Sequence, residues 1–511
     1  MMSPSQLPPR SPTKIAEYQK KVKEIKKKAQ IKMDPNLMSA CVCTRYGKLR
    51  EVDVIHTSSN SSTATPSSKI SNTNSMVSTS SNSTNATPIF EIQDDIPRPK
   101  IEDPHHVLIR NFRTTINPVD CKTRAGNLDL VTGHSKQKNT KRKPTKSSGK
   151  EDMAENDYDE DDERANFPLL ILGQDFAGIV DAVGDEVKSF KAGDMVYGST
   201  APRSSCSAEY VCAFDYECAL KPDQITWDEA AATPTAFCTA WKGLFDPQLG
   251  NLTIYPIDKD DGTAENKEEE ETLPPTYVVD KDDEDERPPR VLVIGAAGSV
   301  GAAAVQLAKQ IGKAEVAAIC GSRNMDYVKS LGASPVFDYA NAGYEIYYTD
   351  HENERFDIIF DCVGGDSYYY KLHQFLNKKD LPKHQKAAST AAVVCNRTNP
   401  SIYVTCVGPV MHGGSEKVTF GRIAQTAQTL VPRFVGNYML PGRWNSRYAM
   451  FLSFTTQNGV LDQITKALAT RKILPRIDPI SPLPMEQLGR GHYQVERGHS
   501  NGKVVIAVQD K

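Results

Sequence analysis

The residues with the clearest chemical grammar are GAAGSVG, Gly295 to Gly301. The uniformly apolar run VLVI (291–294) precedes them, as expected of a buried parallel strand, and the helix formers AAAVQLAKQ follow before Gly312 closes the segment. By length alone Val291–Gly312 could span a bilayer, since about 20 apolar residues cross its core. The glycines at 295, 298 and 301, and the polar Gln306, Lys309 and Gln310 at helical intervals, point instead to strand, turn and helix. Such a turn bends tightly and brings unpaired N–H groups at a helix N-terminus to a pyrophosphate. Ala297, Gly298, Ser299, Val300 and Gly301 are then the expected contacts. A glycine turn that binds nothing is the alternative reading.

Charge suggests which dinucleotide. After the next strand-like run, AEVAAIC, an NAD site would place Asp or Glu against the ribose hydroxyls, but this chain has Gly321, Ser322 and Arg323. Ser322 can donate a hydrogen bond and Arg323 a forked, permanent positive charge, so a 2′-phosphate, and hence NADPH, is preferred. The alternative is that Arg323 faces solvent, as most arginines do. Val363, Gly364 and Gly365 after FDIIFDC, and Gly408 after YVTCV, follow strand-like runs at ends where ligands of parallel sheets bind.

The elements that must position these residues fall in two halves. SACVCTRYG, HHVLIRNFRTTI, ILGQDFAGIVDAVG and AEYVCAFDYECALKP are short, β-rich and punctuated by turn residues, which suggests a small barrel. From residue 290, strands alternate with helices, which suggests an α/β doubly wound parallel sheet. The tail from ILPRIDP returns to strand, helix and strand, as if rejoining the barrel.

Much of the 511-residue chain reads as unable to form a core. Residues 56–88 are almost all Ser, Thr and Asn, 133–165 is a basic block followed by an acidic one, 250–289 is acidic, and a shorter Lys-rich run starts at Asn377. These are expected to be long disordered insertions. Ile15, Tyr18, Val22, Ile25 and Ala29 mark a basic amphipathic leader within 1–36, read either as a targeting segment or as an exposed helix without targeting value. The net charge of −3 gives no bias toward nucleic acid. The 11 cysteines show no C-x-x-C spacing and follow no secretory signal, so they are expected to be reduced thiols in an intracellular protein.

INPVDCKTRAG (116–126), GQDFAGIVDAVGDEVKSFKAGDMVYG (173–198), AEYV (208–211), AAATPTAFCTAW (230–241) and GAAGSVG stand in an order that resembles the zinc-free quinone oxidoreductase branch of the medium-chain dehydrogenase/reductase superfamily. The resemblance implies a GroES-like β-barrel domain at 37–249, a Rossmann NADP-binding domain at 290–470, and a return to the first domain over 471–511. It implies an NADPH-dependent oxidoreductase acting on a quinone or activated carbonyl, a mitochondrial location, a homodimer through the edge of the Rossmann sheet, and no metal, with Gln174 where alcohol dehydrogenases carry a zinc-ligand histidine. Asn117 and Asp120 match the family's active-site turn, where Asn117 could orient a substrate carbonyl and Asp120 fix a water or the loop. The other reading of the pair is an Asn-Pro turn with Asp120 capping a helix. Tyr339, Gly498, His499 and Ser500 are placed at the cofactor by the same resemblance, and Thr233 and Thr235 near the nicotinamide. Ser299 departs from the family's glycine and is expected to weaken phosphate binding. A different class of function stays open: a nucleotide-binding scaffold for a membrane-protein partner.

Overall fold

A computed structural model describes residues 36–43, 89–126, 170–255, 288–341, 343–350, 355–376, 401–407, 424, 427–431, 447–451, 459–498 and 500–509. The leader over 1–35, the insertions at 56–88 and 133–165, most of the acidic segment and of the Lys-rich run, Gly408 and His499 lie outside the described residues.

The first unit is built from β1 (Leu37–Cys43), β2 (Phe90–Pro97), β3 (His106–Ile116), β4 (Leu170–Ile171), β5 (Asp175–Val183), β6 (Met195–Ser199), β7 (Tyr210–Phe214) and β8 (Cys218–Leu220). Apolar residues of β3 and β5, among them Val107, Ile109, Phe176 and Val180, close on Val196, Val211 and Ala213 to fill a barrel core. Close backbone approach is built into it: a Cβ on Gly178 would lie 2.1 Å from the Arg110 carbonyl oxygen across the β3–β5 pair. Short helices follow, α1 (Pro118–Arg124) after β3 and α2 (Trp227–Ala232) after β8. Pro118 opens α1 at a position where a missing N–H costs nothing.

The second unit is a sheet of six parallel strands, β9 (Arg290–Ile294), β10 (Glu315–Cys320), β11 (Val336–Asp338), β12 (Ile358–Asp361), β13 (Ile402–Thr405) and β14 (Arg447–Met450). They lie side by side as β11-β10-β9-β12-β13-β14. The chain reverses its direction of winding between β9 and β12, and ligands of such sheets bind in the crevice beyond the carboxyl ends there. The long helices α3 (Pro234–Phe245) and α4 (Ser299–Gln310) cover one face together with α5 (Met325–Ser330); α6 (Gly343–Asp350), α7 (Asp366–Leu372) and α8 (Val460–Ala469) complete the layers. Val291–Gly312 is thus strand, turn and helix, and among the described residues no helix is long and apolar enough to cross a membrane.

The tail forms β15 (Leu483–Pro484), α9 (Leu488–Glu496) and β16 (Val504–Ala507), and β16 pairs antiparallel with β3. The barrel sheet therefore closes with the last strand of the chain, in the order β15-β16-β3-β5-β6-β8. The fold is α/β, a GroES-like barrel beside a doubly wound Rossmann domain.

Two boundaries differ from the sequence reading. Helix α3, placed by sequence with the barrel, packs on the parallel sheet, so closely that a Cβ on Gly243 would meet the Phe360 ring at 2.6 Å. Residues 250–255, grouped by composition with the disordered acidic segment, are ordered: Leu252 is buried, its N–H donates to the Leu244 carbonyl, and Tyr255 N–H donates to the Ile311 carbonyl. Leu252 and Ile254 find an apolar bed between α3 and α4, and local composition was a poor guide to that tertiary contact.

Candidate functional site

The glycine turn meets the geometric demands of a pyrophosphate cradle. Gly295 takes φ +76°, a left-handed conformation costly for other residues, and a Cβ there would strike Val363 at 2.7 Å. Val363 follows β12, so the turn and the Val363–Gly365 loop converge at the point where the winding reverses. A Cβ on Gly301 would lie 2.2 Å from the Gly295 carbonyl oxygen, which fixes how closely α4 packs on β9. Gly298 is exposed and caps α4 without a side chain, and the nearest atom to a Cβ there is the Gly295 oxygen at 3.4 Å. The opening N–H groups of a 12-residue helix thus face open space with their positive end. These features fit a dinucleotide phosphate. Ser299 is the first residue of α4, and Ala297 and Val300 are half-buried beside it.

At the carboxyl end of β10, Ser322 and Arg323 are exposed on a single 3-10 turn, Ser322–Asn324, with no acidic residue among 321–324. Tyr339, 60% exposed after β11, lies against Gly321: a Cβ on that glycine would be 3.3 Å from the tyrosine ring. Gly321, Ser322, Arg323 and Tyr339 are therefore neighbours on one rim. Gly498 (φ +67°) ends α9, and the half-buried Ser500 follows it on the tail. Among the described residues, no hydrogen bond or ion pair joins that pair to the rim.

On the barrel side, Asn117 and Asp120 occupy the first turn of α1. The Asn117 N–H donates to Asp120 Oδ2 at 2.7 Å, so the Asp120 side chain closes the helix start. The Asn117 side chain joins a buried polar knot. Its amide donates to Asp175 Oδ2 at 3.0 Å, and its oxygen accepts from the Lys503 ammonium, which lies 3.2 Å from the same Asp175 oxygen. Asp175 also accepts from Thr115 at 2.7 Å and from the Thr235 hydroxyl (2.5 Å) and N–H (3.1 Å). Burial pushes the Asp175 carboxyl up, yet Lys503 and the bonds from Thr235, Asn117 and Thr115 outweigh it and hold the group below its ordinary range. Thr233 lies outside the knot, its hydroxyl donating to the Glu229 carbonyl at 2.8 Å. Behind α1, the fully buried Arg124 pairs with Glu496 at 2.6 Å and ties this turn to α9.

The two halves of the site are mechanically joined. Thr235 places the start of α3 in the knot, and α3 runs on to pack against Phe360 of β12. Sequence reading missed Asp175 and Lys503, whose signals were present. Asp175 sits inside GQDFAG, and Lys503 is a lone charge entering the apolar strand VVIA, which calls for a buried partner.

Asp120 gives the site a pH dependence. Burial raises its carboxyl to about 7, opposed by the Asn117 N–H and assisted by the nearby Asp175 charge. Its proton is held more tightly in the folded than in the unfolded chain, so the group lowers stability as pH rises from about 4 to about 7. We expect Asp120→Asn, which keeps an acceptor for the Asn117 N–H, to flatten the fall in stability across that window in urea denaturation. Slopes equal to the parent's would contradict this.

Comparison with known proteins accords with this geometry. The model described as alcohol dehydrogenase GroES-like domain matches residues 147–239, and that described as zinc-binding dehydrogenase matches 299–379. The mitochondrial NAD(P)H oxidoreductase RTN4IP1 of Bos taurus is 28% identical over 413 residues, covering 80% of this chain and 83% of its own. The 2-methylene-furan-3-one reductase of Solanum lycopersicum is 26% identical over 462 residues, covering 88% and 84%. The quinone oxidoreductase from Coxiella burnetii shares the fold with a TM-score of 0.53 at 20% identity, over 93% of this chain and all of that one. Zinc does not fit the donors present here. Gln174 offers a neutral amide, the Asp175 carboxylate is committed to Lys503 and its other donors, and no group of three or more His, Cys, Asp or Glu that could hold a metal occurs among the described residues. Its two domain matches, its relatives over about four fifths of the chain and its fold give this oxidoreductase chain the two-domain architecture of the medium-chain dehydrogenases/reductases.

Proposed function

We propose that this chain is an NADPH-dependent, zinc-independent oxidoreductase that reduces a quinone or another activated carbonyl. The observation that carries the reading is the rim of Ser322, Arg323 and Tyr339, with no acidic residue among 321–324, beside an open glycine cradle. Bound NADPH supplies the hydride. Ser322 and Arg323 hold the 2′-phosphate, Tyr339 flanks it, and the start of α4 takes the pyrophosphate. Asn117 retains a second amide N–H to orient a substrate carbonyl, and Asp175 and Lys503 keep that amide in one orientation. Asp120 acts by holding the turn.

A carbonyl-bearing acceptor is supported by the name of one relative, the 2-methylene-furan-3-one reductase. The Bos taurus relative, whose name places it in mitochondria, supports a mitochondrial location. A homodimer would form at β14, the edge of the parallel sheet. Titrating the purified protein with each nucleotide, followed by its intrinsic fluorescence, tests the cofactor. NADPH should bind at least tenfold more tightly than NADH, whereas failure to bind either, or equal affinity, would overturn the assignment.

A further inference from the structure

Arg476 reaches the nucleotide turn from a different part of the chain. It lies in the tail after α8, on the path that leads back to the barrel. Its Nη1 donates to the Asn324 side-chain oxygen at 2.9 Å, on the residue directly after Ser322 and Arg323, and its guanidinium stacks 4.1 Å above the Tyr327 ring. Asn324 is a neutral acceptor, and Arg476 forms no ion pair with a carboxylate among the described residues. A half-buried guanidinium with five donors, one given to an amide, retains its charge for an anion.

The backbone around it is pinned. The Arg476 carbonyl accepts from Lys503 N–H at 2.7 Å, and two residues earlier Leu474 exchanges hydrogen bonds with the Gln306 side chain of α4, at 3.0 and 2.9 Å. Arg476 thus belongs to the segment that ties the Asp175–Lys503 knot to the glycine-turn helix. A fixed arginine loses less freedom on binding a phosphate than a solvent-exposed one such as Arg323.

We propose that Arg476, anchored on Asn324 and stacked on Tyr327, is a further contact to the 2′-phosphate and a determinant of NADPH over NADH selectivity. This rests on the NADPH reading above. It assigns part of the preference to the tail of the chain, so that binding the phosphorylated nucleotide also joins the barrel return to the Rossmann domain.

The test is equilibrium binding by the full chain, as parent, Arg476→Met and Arg476→Lys, to NADPH, NADH, adenosine 2′,5′-bisphosphate and 5′-AMP. The methionine variant should weaken NADPH and the bisphosphate roughly 10- to 100-fold, the range of a lost charge-assisted hydrogen bond, with NADH and 5′-AMP within about twofold. The lysine variant should recover part of the loss. Equal weakening of all four ligands would mean a purely structural role through Tyr327, and unchanged NADPH affinity would mean no contact; either overturns the proposal. A parent protein that does not discriminate NADPH from NADH overturns the NADPH reading itself and the role of Arg476 with it, a result distinct from a selective parent and an equally selective variant.

Discussion

Lys503→Met should destabilise the chain by about 3 kcal/mol, because it leaves Asp175 ionised and buried without its counter-charge. The pair is 4% and 0% exposed, so water cannot take the place of the ammonium without opening the barrel. Removing one partner of such a pair costs about 3–5 kcal/mol, and the lower figure applies here because Thr115, Asn117 and Thr235 still donate to the carboxylate. The double variant Lys503→Met/Asp175→Asn should recover at least half of the loss in urea denaturation. A single variant within about 1 kcal/mol of the parent would show that the buried charge is met in another way. Lys503→Met also removes the donor to the Asn117 oxygen and leaves its amide held by Asp175 alone, so carbonyl reduction should fall even at temperatures where the protein stays folded.

Arg323→Asp should invert the nucleotide preference. The new carboxylate would stand where NAD-binding sites place their acidic residue, able to accept from the ribose hydroxyls and repelling a 2′-phosphate. Loss of a charge-assisted bond and gain of a like charge should together weaken NADPH by about 100-fold, while NADH tightens severalfold. Because Arg323 is exposed and packs no core, stability should change by less than about 0.5 kcal/mol. Nucleotide titration of the variant checks this, and unchanged NADPH affinity would mean that Arg323 faces solvent in the complex as well.

Legibility in the sequence followed the range of the interactions. The β9–turn–α4 unit was readable because its cause is local: an apolar run, glycines and helix formers in one continuous stretch. The place of Ser322 and Arg323 directly after β10 was readable for the same reason, because they follow an apolar run in the chain. By contrast, the Asp175–Lys503 pair joins β5 to a residue at the mouth of β16, and nothing in either segment names the other. The resemblance drew attention to Asn117 and Asp120, and the local Asn-Pro pattern already offered Asp120 as a helix cap, but neither showed that Asn117 is held by a distant lysine. Helix α3 was misplaced because its sequence continues directly from the barrel, and only packing against Phe360 shows which core it serves. Leu252 was hidden by the acidic composition that follows it.

The proposed reaction is hydride transfer from NADPH to an activated carbonyl without zinc. It is tested most directly by following NADPH absorbance in the chelator-treated protein after adding a simple quinone or an α,β-unsaturated ketone. Oxidation should be stoichiometric, one NADPH for each acceptor reduced, at a rate that added zinc does not change. NADPH that binds but is never oxidised by either acceptor, or is oxidised only after zinc is restored, would contradict it.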